Sequence, residues 1–216
     1  VYLEITHVTN FFSFPDKPGN IWRLASEQEL YTTAHLAYAR GADGISAFNF
    51  VYYRKTGESV IESVSEPPFD VFEKLRDKKW LAGQPQLYFL NRYDSHYVRV
   101  TKRPFRVGQW KQFTMDMAPP KGGWTADGRL RIQFLTAIGK SKWQVRFNGV
   151  DLTATADISE PYENPYKDAL GDEASLLAWT VPVDLVKDGI NRIDVRPVVG
   201  NPPKIIHLDL AIGKKH

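Results

Sequence analysis

The repeat pattern of the apolar residues changes near Gln84-Pro85-Gln86, and this change constrains the fold more than any other feature of the sequence. Before it, apolar residues recur at the spacing of amphipathic helices, between short runs typical of strands. After it, short runs alternate apolar and polar residues, as half-buried strands do. We therefore expect two unlike domains: an α/β segment over residues 1–92 and an all-β antiparallel sandwich over residues 93–216.

The first half of the chain predicts a strand, a helix and a second strand. Val1–His7 and Ile45–Tyr52 are rich in β-branched and aromatic residues, and the second run is apolar enough for a strand buried on both faces. Ser26 and Glu29 have the spacing of a capping box, in which each side chain accepts a hydrogen bond from the other residue's backbone N–H. A helix is therefore expected over residues 27–40.

A second helix is expected over residues 69–77, because Pro67 and Pro68 suit a first helical turn. Residues 10–20, which contain two Pro and a Gly, predict a loop. This alternation of strands and helices, with short loops between them, indicates parallel strands joined by right-handed crossovers.

The second half predicts about seven strands with turn signals between them, which indicates a sandwich. Asn148-Gly149 predicts a two-residue hairpin, since a type I′ turn needs positive φ at both positions. The predicted strands span residues 97–102, 112–117, 130–137, 142–147, 175–181, 190–196 and 204–212.

Composition and motifs exclude several classes of protein. No run approaches the roughly 20 apolar residues that a membrane-spanning helix needs. The net charge of +3 is mild and forms no sustained basic stripe, so neither nucleic acid nor a membrane is an expected partner. The sequence contains no cysteine, no glycine-rich phosphate loop, no H-E-x-x-H and no G-x-S-x-G. We expect no metal site and no cofactor.

The stretch Ala34–Phe50 resembles the helix before the last strand of a (β/α)₈ barrel, and then that strand, as found in bacterial glycoside hydrolases. The resemblance covers about residues 1–92 and corresponds to the last two βα units of a TIM-like barrel. A whole barrel takes about 250 residues, so six units are missing from the chain on this interpretation. The start at Val1, within a strand-like run and without Met, likewise suggests truncation or processing of a longer polypeptide.

The second half is similar to the jelly-roll, galactose-binding-like sandwiches appended to such enzymes. The similarity rests on Phe147–Val150, on Trp179–Pro182 and on the G-x-N-x-I-x-V pattern in Asp188–Val195. The resemblance implies the C-terminal portion of a carbohydrate-active protein, whose sandwich supports the barrel and binds glycan. Its partners would be a polysaccharide or oligosaccharide and the missing barrel units, from the same polypeptide or a second chain.

The resemblance also implies a secreted, periplasmic or cell-surface location. Two alternatives stay open at this point. One is a non-catalytic carbohydrate-binding or structural sandwich module. The other is a protein–protein adaptor whose exposed strand edge, at Val1–His7, pairs with another chain.

Glu4 is the candidate catalytic residue that the resemblance implies. Retaining glycosidases of this clan carry a nucleophilic carboxylate at the end of the seventh barrel strand, and Glu4 falls on the matching strand. The second carboxylate, about 5 Å away in such enzymes, belongs to the fourth strand, which the chain lacks. Alternatively, Glu4 is a mid-strand glutamate paired with a lysine or arginine.

Four further residues are candidates for substrate binding. His7 and Asn49 lie near the predicted strand ends, although either could instead anchor a loop, and Tyr52 follows Asn49 at the end of the second strand. Of the sandwich residues Trp110, Trp124, Trp143 and Trp179, the last two fall inside strand patterns and predict core positions. Trp124 follows a Pro- and Gly-rich loop and is the expected stacking residue, with a cap on the open end of the sandwich as the alternative.

Overall fold

The chain forms two compact units, Val1–Gln84 and Pro85–His216. The computed structural model describes residues 1–5, 8–13, 20–47, 69–91, 105–158 and 175–213. The predicted strand over residues 97–102 lies outside these ranges. The division falls earlier in the chain than residue 92, because Gln86–Asn91 forms a strand that pairs within the second unit.

The first unit contains a strand–helix–strand arrangement with parallel strands. Its elements are β1 (Tyr2–Ile5), β2 (Val8–Ser13), β3 (Asn20–Leu24), α1 (Glu27–Ala39), β4 (Gly44–Ala47), α2 (Phe69–Lys74) and α3 (Lys78–Leu81). β1 pairs with β4 in parallel, and α1 lies between them in the chain. β2 and β3 pair in antiparallel, so the loop predicted over residues 10–20 was wrong at residues 10–13 and at residue 20, while residues 14–19 lie outside the described ranges. Aromatic and β-branched residues at both ends of that segment favour pairing, and the Pro and Gly lie between the two strands.

Helix α1 begins at the predicted capping box. The Glu29 N–H donates to Ser26 Oγ at 3.2 Å, and the Ser26 N–H donates to Glu29 Oε2 at 2.9 Å. The chain leaves the helix through Gly41 at a φ of 91°, a conformation that favours glycine. The helix buries one face in a small core made of Ile5, Leu30, Tyr31, Ala34, Val71, Leu75 and Leu81.

Strand β1 exposes apolar side chains. Val1, Tyr2 and Leu3 are 86%, 73% and 42% exposed, and only Ile5 of this strand is buried. The terminal amine of Val1 forms an ion pair with Asp43, which directly precedes β4. Within the described residues β1 pairs with β4 alone, so the strand leaves one edge of backbone groups unpaired.

The second unit is an antiparallel β-sandwich, as predicted. Its strands are β5 (Gln86–Asn91), β6 (Lys111–Met117), β7 (Gly128–Phe134), β8 (Lys142–Phe147), β9 (Val150–Asp151), β10 (Thr153–Thr155), β11 (Leu176–Val181), β12 (Gly189–Val199) and β13 (Ile205–Ile212). One sheet has five strands in the order β10-β11-β7-β13-β5, and the other has four in the order β6-β12-β8-β9. A 3₁₀ turn, Val183–Leu185, leads from β11 towards β12.

The core of the sandwich lies between the two sheets. Alternate residues of each strand point into it, and all are at most 7% exposed: Phe113, Met115, Met117, Leu130, Ile132, Phe134, Val145, Phe147, Trp179, Val181, Ile193, Val195, Leu208, Leu210 and Ile212. The period of two that predicted these strands is therefore confirmed. Trp179 belongs to this core and Trp143 packs against it, also as predicted.

The turn between β8 and β9 has the predicted geometry. Asn148 and Gly149 have φ angles of 49° and 90°, as a type I′ turn requires at both positions. Strand β5 was not predicted, because its run of Leu, Tyr, Phe and Leu does not alternate. Continuous apolar character is expected where a sheet is buried on both faces.

The outer face of the five-stranded sheet is buried and carries ionised side chains. Arg131 donates from Nε and Nη2 to the two Asp209 carboxylate oxygens at 2.9 and 2.8 Å, and from Nη1 to the Ile158 carbonyl oxygen at 3.1 Å. His207 Nε2 lies 3.2 Å from Asp209 Oδ2, and all three side chains are at most 2% exposed. Burial raises the pKa of Asp209, but the charge of Arg131 and the hydrogen bond to His207 outweigh it and bring the pKa to about 2.

Candidate functional site

Glu4, the candidate nucleophile, has an exposed side chain on β1. The parallel register places it opposite Ser46 of β4. No lysine or arginine of the described residues pairs with it, so no ion pair accounts for its position there. His7, Asn49 and Tyr52 lie outside the residues that the structure describes.

Trp124 is half-buried and packs against the sandwich core. Its indole N–H donates to Gln86 Oε1 at 2.7 Å, and the Tyr88 hydroxyl donates to the same oxygen at 2.9 Å. Gln86 in turn donates to the Ala118 carbonyl oxygen at 2.9 Å. The hydrogen bond to Gln86, whose side chain is itself held by Tyr88 and Ala118, therefore fixes Trp124 at this end of the sandwich. Glu4 and Trp124 belong to different units.

The four-stranded sheet presents the open face of the sandwich. One outward side chain, Asp194, is buried. The other outward side chains are exposed or half-buried, and they include Gln112, Thr114, Asp116, Lys142, Gln144, Arg146, Asp151, Ile190, Arg192 and Arg196. The central strands of the five-stranded sheet, in contrast, bury most of their residues on both faces, whereas its edge strand β10 is largely exposed. Within the described part of the sandwich, a ligand can therefore reach an ordered sheet surface on the four-stranded side.

A tryptophan and two arginines meet on this open face. Trp110 directly precedes β6, and the guanidinium carbons of Arg146 and Arg196 lie 4.4 and 4.5 Å from its ring centroid. Arg146 comes from β8 and Arg196 from β12, so three neighbouring strands bring the side chains together. Guanidinium groups at this distance attract the negative face of an indole ring and hold it in place.

Two further side chains complete the group. Gln144 Oε1 accepts from Arg196 Nε at 3.0 Å and from Nη2 at 2.6 Å, while Gln144 Nε2 donates to Asp151 Oδ1 at 2.8 Å. Arg146 Nε donates to the same Asp151 oxygen at 2.8 Å. This bond holds the pKa of Asp151 below its ordinary value of 3.8, and the carboxylate raises the pKa of Arg146 in return. We call Trp110, Gln144, Arg146, Asp151 and Arg196 the Trp110 cluster.

The Trp110 cluster was missed by sequence reasoning, although Trp110 was considered. The signal that could have found it is the period of two: Trp110 has the parity of Gln112 and Thr114, the polar side of β6. Its partners could not be found in this way. They lie some 36 and 86 residues further along the chain, and the register of the sheet alone brings them together.

Two of the three stretches that carry the sandwich resemblance, Phe147–Val150 and Asp188–Val195, join in one hydrogen-bond network. Asn148 Nδ2 donates to Asn191 Oδ1 at 2.9 Å, and Asn148 Oδ1 accepts from the Arg192 N–H at 2.9 Å. Asn191 is fully buried, and its Nδ2 donates to the carbonyl oxygens of Lys187 and Gly189 at 2.7 and 3.1 Å. Both asparagines therefore serve the framework of the sheet.

No family model and no curated protein matches the chain. Among solved structures, it is similar to BpGH86A, a beta-porphyranase of glycoside hydrolase family 86 from the human gut bacterium Bacteroides plebeius, with 14% identity and a TM-score of 0.38 over 60% of this chain and 20% of that one. Two crystal structures of BuGH86 in complex with neoagarooctaose give 11% identity and TM-scores of 0.34, over 59% of this chain and 18% of theirs. The chain spans about a fifth of the length of these proteins.

No helix among the described residues has the length and apolar character needed to span a membrane. The described side chains also contain no group of three or more metal-binding residues placed to hold an ion.

Proposed function

We propose that the chain is the C-terminal portion of a carbohydrate-active protein whose sandwich binds glycan on its open face. The observation that carries this proposal is the Trp110 cluster. It combines an indole ring with amide, guanidinium and carboxylate groups that hydrogen bonds already hold in place. Clustered aromatic surface with a few ordered polar groups is the usual chemistry of a small-ligand site.

A sugar ring matches both the aromatic part and the polar part of the Trp110 cluster. It has a flat face of C–H bonds that packs against an aromatic ring, and a rim of hydroxyl groups that both donate and accept hydrogen bonds. The cluster offers guanidinium N–H donors and an Asp151 carboxylate that is 53% exposed. Because the side chains fix one another, little conformational entropy is lost when a ligand binds.

We also propose that the first unit is the end of a (β/α)₈ barrel, with the jelly-roll sandwich supporting it. The parallel pair of β1 and β4, with helix α1 between them in the chain, is consistent with two barrel units, in which the antiparallel β2–β3 pair would belong to the connection before the helix. The exposed apolar residues of β1 support the proposal further, since a neighbouring barrel strand would cover them. Glu4 would be the nucleophile, with His7, Asn49 and Tyr52 around the substrate.

Replacing Trp110 with alanine should strongly weaken glycan binding by the chain. Loss of an aromatic stacking partner together with the two guanidinium contacts should weaken binding by roughly a hundredfold, as for a central aromatic residue of an interface. Affinity electrophoresis against a panel of polysaccharides, followed by calorimetry on the best oligosaccharide, measures this loss.

Two alanine variants serve as controls for this experiment. Trp124→Ala removes the other candidate tryptophan, and Ile190→Ala removes an exposed apolar side chain from the same sheet face. We expect both to bind glycan as the unchanged chain does. Binding lost in Trp124→Ala and retained in Trp110→Ala would place the site at the end of the sandwich instead.

The chain of residues 1–216 should not hydrolyse glycosides by itself, because the proposed second carboxylate lies on missing strands. In a longer parent polypeptide, Glu4→Gln should lower kcat by about ten-thousandfold, as expected for loss of a nucleophile. Reducing-sugar release from polysaccharide panels measures both. Hydrolysis by residues 1–216 alone that disappears in Glu4→Gln would show that the missing strands are not needed.

A further inference from the structure

We propose that the Trp110 cluster is selective for acidic saccharides, with Arg196 binding a carboxylate or sulfate-ester group on the sugar. The inference rests on the proposed glycan-binding function and names the class of ligand. It follows from the balance of charge on the open face, from the hydrogen bonds of Arg196 and from the order of the surrounding side chains.

Two of the three guanidiniums on the open face form ion pairs with carboxylates. Asp151 forms an ion pair with Arg146 at 2.8 Å, and Asp194 forms one with Arg192, also at 2.8 Å. Arg196 is the third guanidinium, and none of the described carboxylates forms an ion pair with it. Arg196 therefore has no carboxylate in direct contact beside the Trp110 ring, and Asp151 attracts it only from a distance.

The hydrogen bonds of Arg196 leave donors available for an anion. Its Nε and Nη2 both donate to one neutral oxygen, Gln144 Oε1, at 3.0 and 2.6 Å. A guanidinium has five N–H donors and matches a carboxylate or sulfate through two parallel hydrogen bonds. An anionic group would therefore replace the weaker neutral acceptor or bind beside it.

Gln144 fixes the position of Arg196 before a ligand arrives. Its amide nitrogen donates to Asp151 Oδ1 at 2.8 Å, so the amide oxygen must face Arg196. Asp151 is itself held by Arg146. The chain of bonds from Arg146 through Asp151 and Gln144 therefore holds the Arg196 guanidinium, which has no ion-pair partner among the described carboxylates, next to the indole ring, where a stacked sugar would present its acidic group.

The surface favours a sugar over a nucleic acid. A nucleic-acid site needs a stripe of cations that follows a run of phosphates, with several stacking residues. Here two of the three arginines are neutralised by carboxylates, and one tryptophan lies beside the third. That pattern suits a ring with a single acidic group.

The test compares three oligosaccharide probes on the whole chain and on two charge-matched variants. The probes are neutral agarose oligosaccharides, sulfated carrageenan oligosaccharides and oligogalacturonate. Arg196→Gln removes the proposed anion-binding group. Arg192→Gln removes an equal charge from the same strand and face, but from a residue that already has a carboxylate partner. Calorimetry at low and high NaCl measures each affinity, and urea unfolding checks that both variants are folded.

We expect at least one acidic probe to bind about tenfold or more tightly than the neutral probe at low salt, with the difference reduced by NaCl. Arg196→Gln should remove this difference and keep the weaker neutral binding, whereas Arg192→Gln should retain it. Whichever acidic probe binds more tightly identifies carboxylate or sulfate as the ligand group.

Three results would overturn the inference. The first is that neutral and acidic probes bind with equal affinity and that Trp110→Ala abolishes the binding of both. Glycan binding would then be supported, but acid selectivity would not. Another is an equal loss in Arg192→Gln and Arg196→Gln, which would indicate general charge attraction. The third is a single-stranded oligonucleotide that binds through Arg196 as tightly as the sugars. Absence of binding to every saccharide would instead contradict the proposed function itself.

Discussion

Replacing Asp209 with asparagine should lower the free energy of unfolding of the sandwich by about 3–5 kcal/mol. The substitution keeps the shape of the side chain but leaves the Arg131 guanidinium, which is 1% exposed, without its carboxylate. Neutral acceptors such as the Ile158 carbonyl oxygen and the asparagine amide replace the lost ion pair only in part, so the buried charge is no longer compensated for its lost hydration. Urea unfolding followed by tryptophan fluorescence measures the change.

A double variant separates loss of the pair from loss of its packing. Arg131→Met with Asp209→Leu removes both charges together, and well-packed apolar replacements of a buried ion pair are often close to neutral. We therefore expect the double variant to be more stable than Asp209→Asn. If the double variant instead loses as much free energy of unfolding as the two single variants together, the two residues act independently.

The same pair gives the sandwich a defined sensitivity to acid. The pKa of Asp209 is about 2 in the folded protein and ordinarily 3.8. A carboxyl group whose pKa is lower in the folded state stabilises the fold above its unfolded-state pKa, and this stabilisation is lost as the pH falls towards the folded value. From about pH 5 to pH 2, Asp209 should account for a loss of about 2 kcal/mol, a component that Asp209→Asn should lack.

Asn191→Ala should destabilise the sandwich by about 2–4 kcal/mol. The side chain is fully buried, donates to two carbonyl oxygens and accepts from Asn148 Nδ2 and the Lys187 N–H. Truncation leaves these buried groups without partners, at roughly 1 kcal/mol or more for each. Urea unfolding measures the loss, and glycan binding below the unfolding transition should be unchanged.

Gln112→Ala provides the matched control, because Gln112 is an exposed amide on the neighbouring strand β6. An exposed substitution of this kind should change stability by less than about 0.5 kcal/mol. Equal effects of the two substitutions would contradict a structural role for the Asn191 amide.

Local sequence signals predicted those parts of the fold that local chemistry determines. The capping box at Ser26 and Glu29 and the turn at Asn148-Gly149 depend on residues within a few positions of one another, and both are present. The alternating strands of the sandwich were predicted because one face of each is apolar. Strand β5 was missed for the opposite reason, since both faces of its sheet are buried and the alternation disappears.

The candidate site depended on distant pairings, which one sequence does not reveal. Asp194 lies opposite Arg146 in the register of β12 and β8, and this register also aligns Arg196 with Gln144. Trp124, chosen from its loop, is held by Gln86 through a contact 38 residues away in the chain. The charged pair Arg131 and Asp209 is likewise 78 residues apart. In each case the sheet pairing decides the surroundings of the side chain.

The hydrogen bond between Asn148 and Asn191 also has an evolutionary consequence. A change at either position removes one hydrogen bond of the other amide, so each single substitution should be harmful in the presence of the unchanged residue. The hairpin and the strand that carry these residues should therefore change together along a lineage, and relatives that lack one amide should lack both. Two stretches of sequence that are 43 residues apart thus form a single unit of selection.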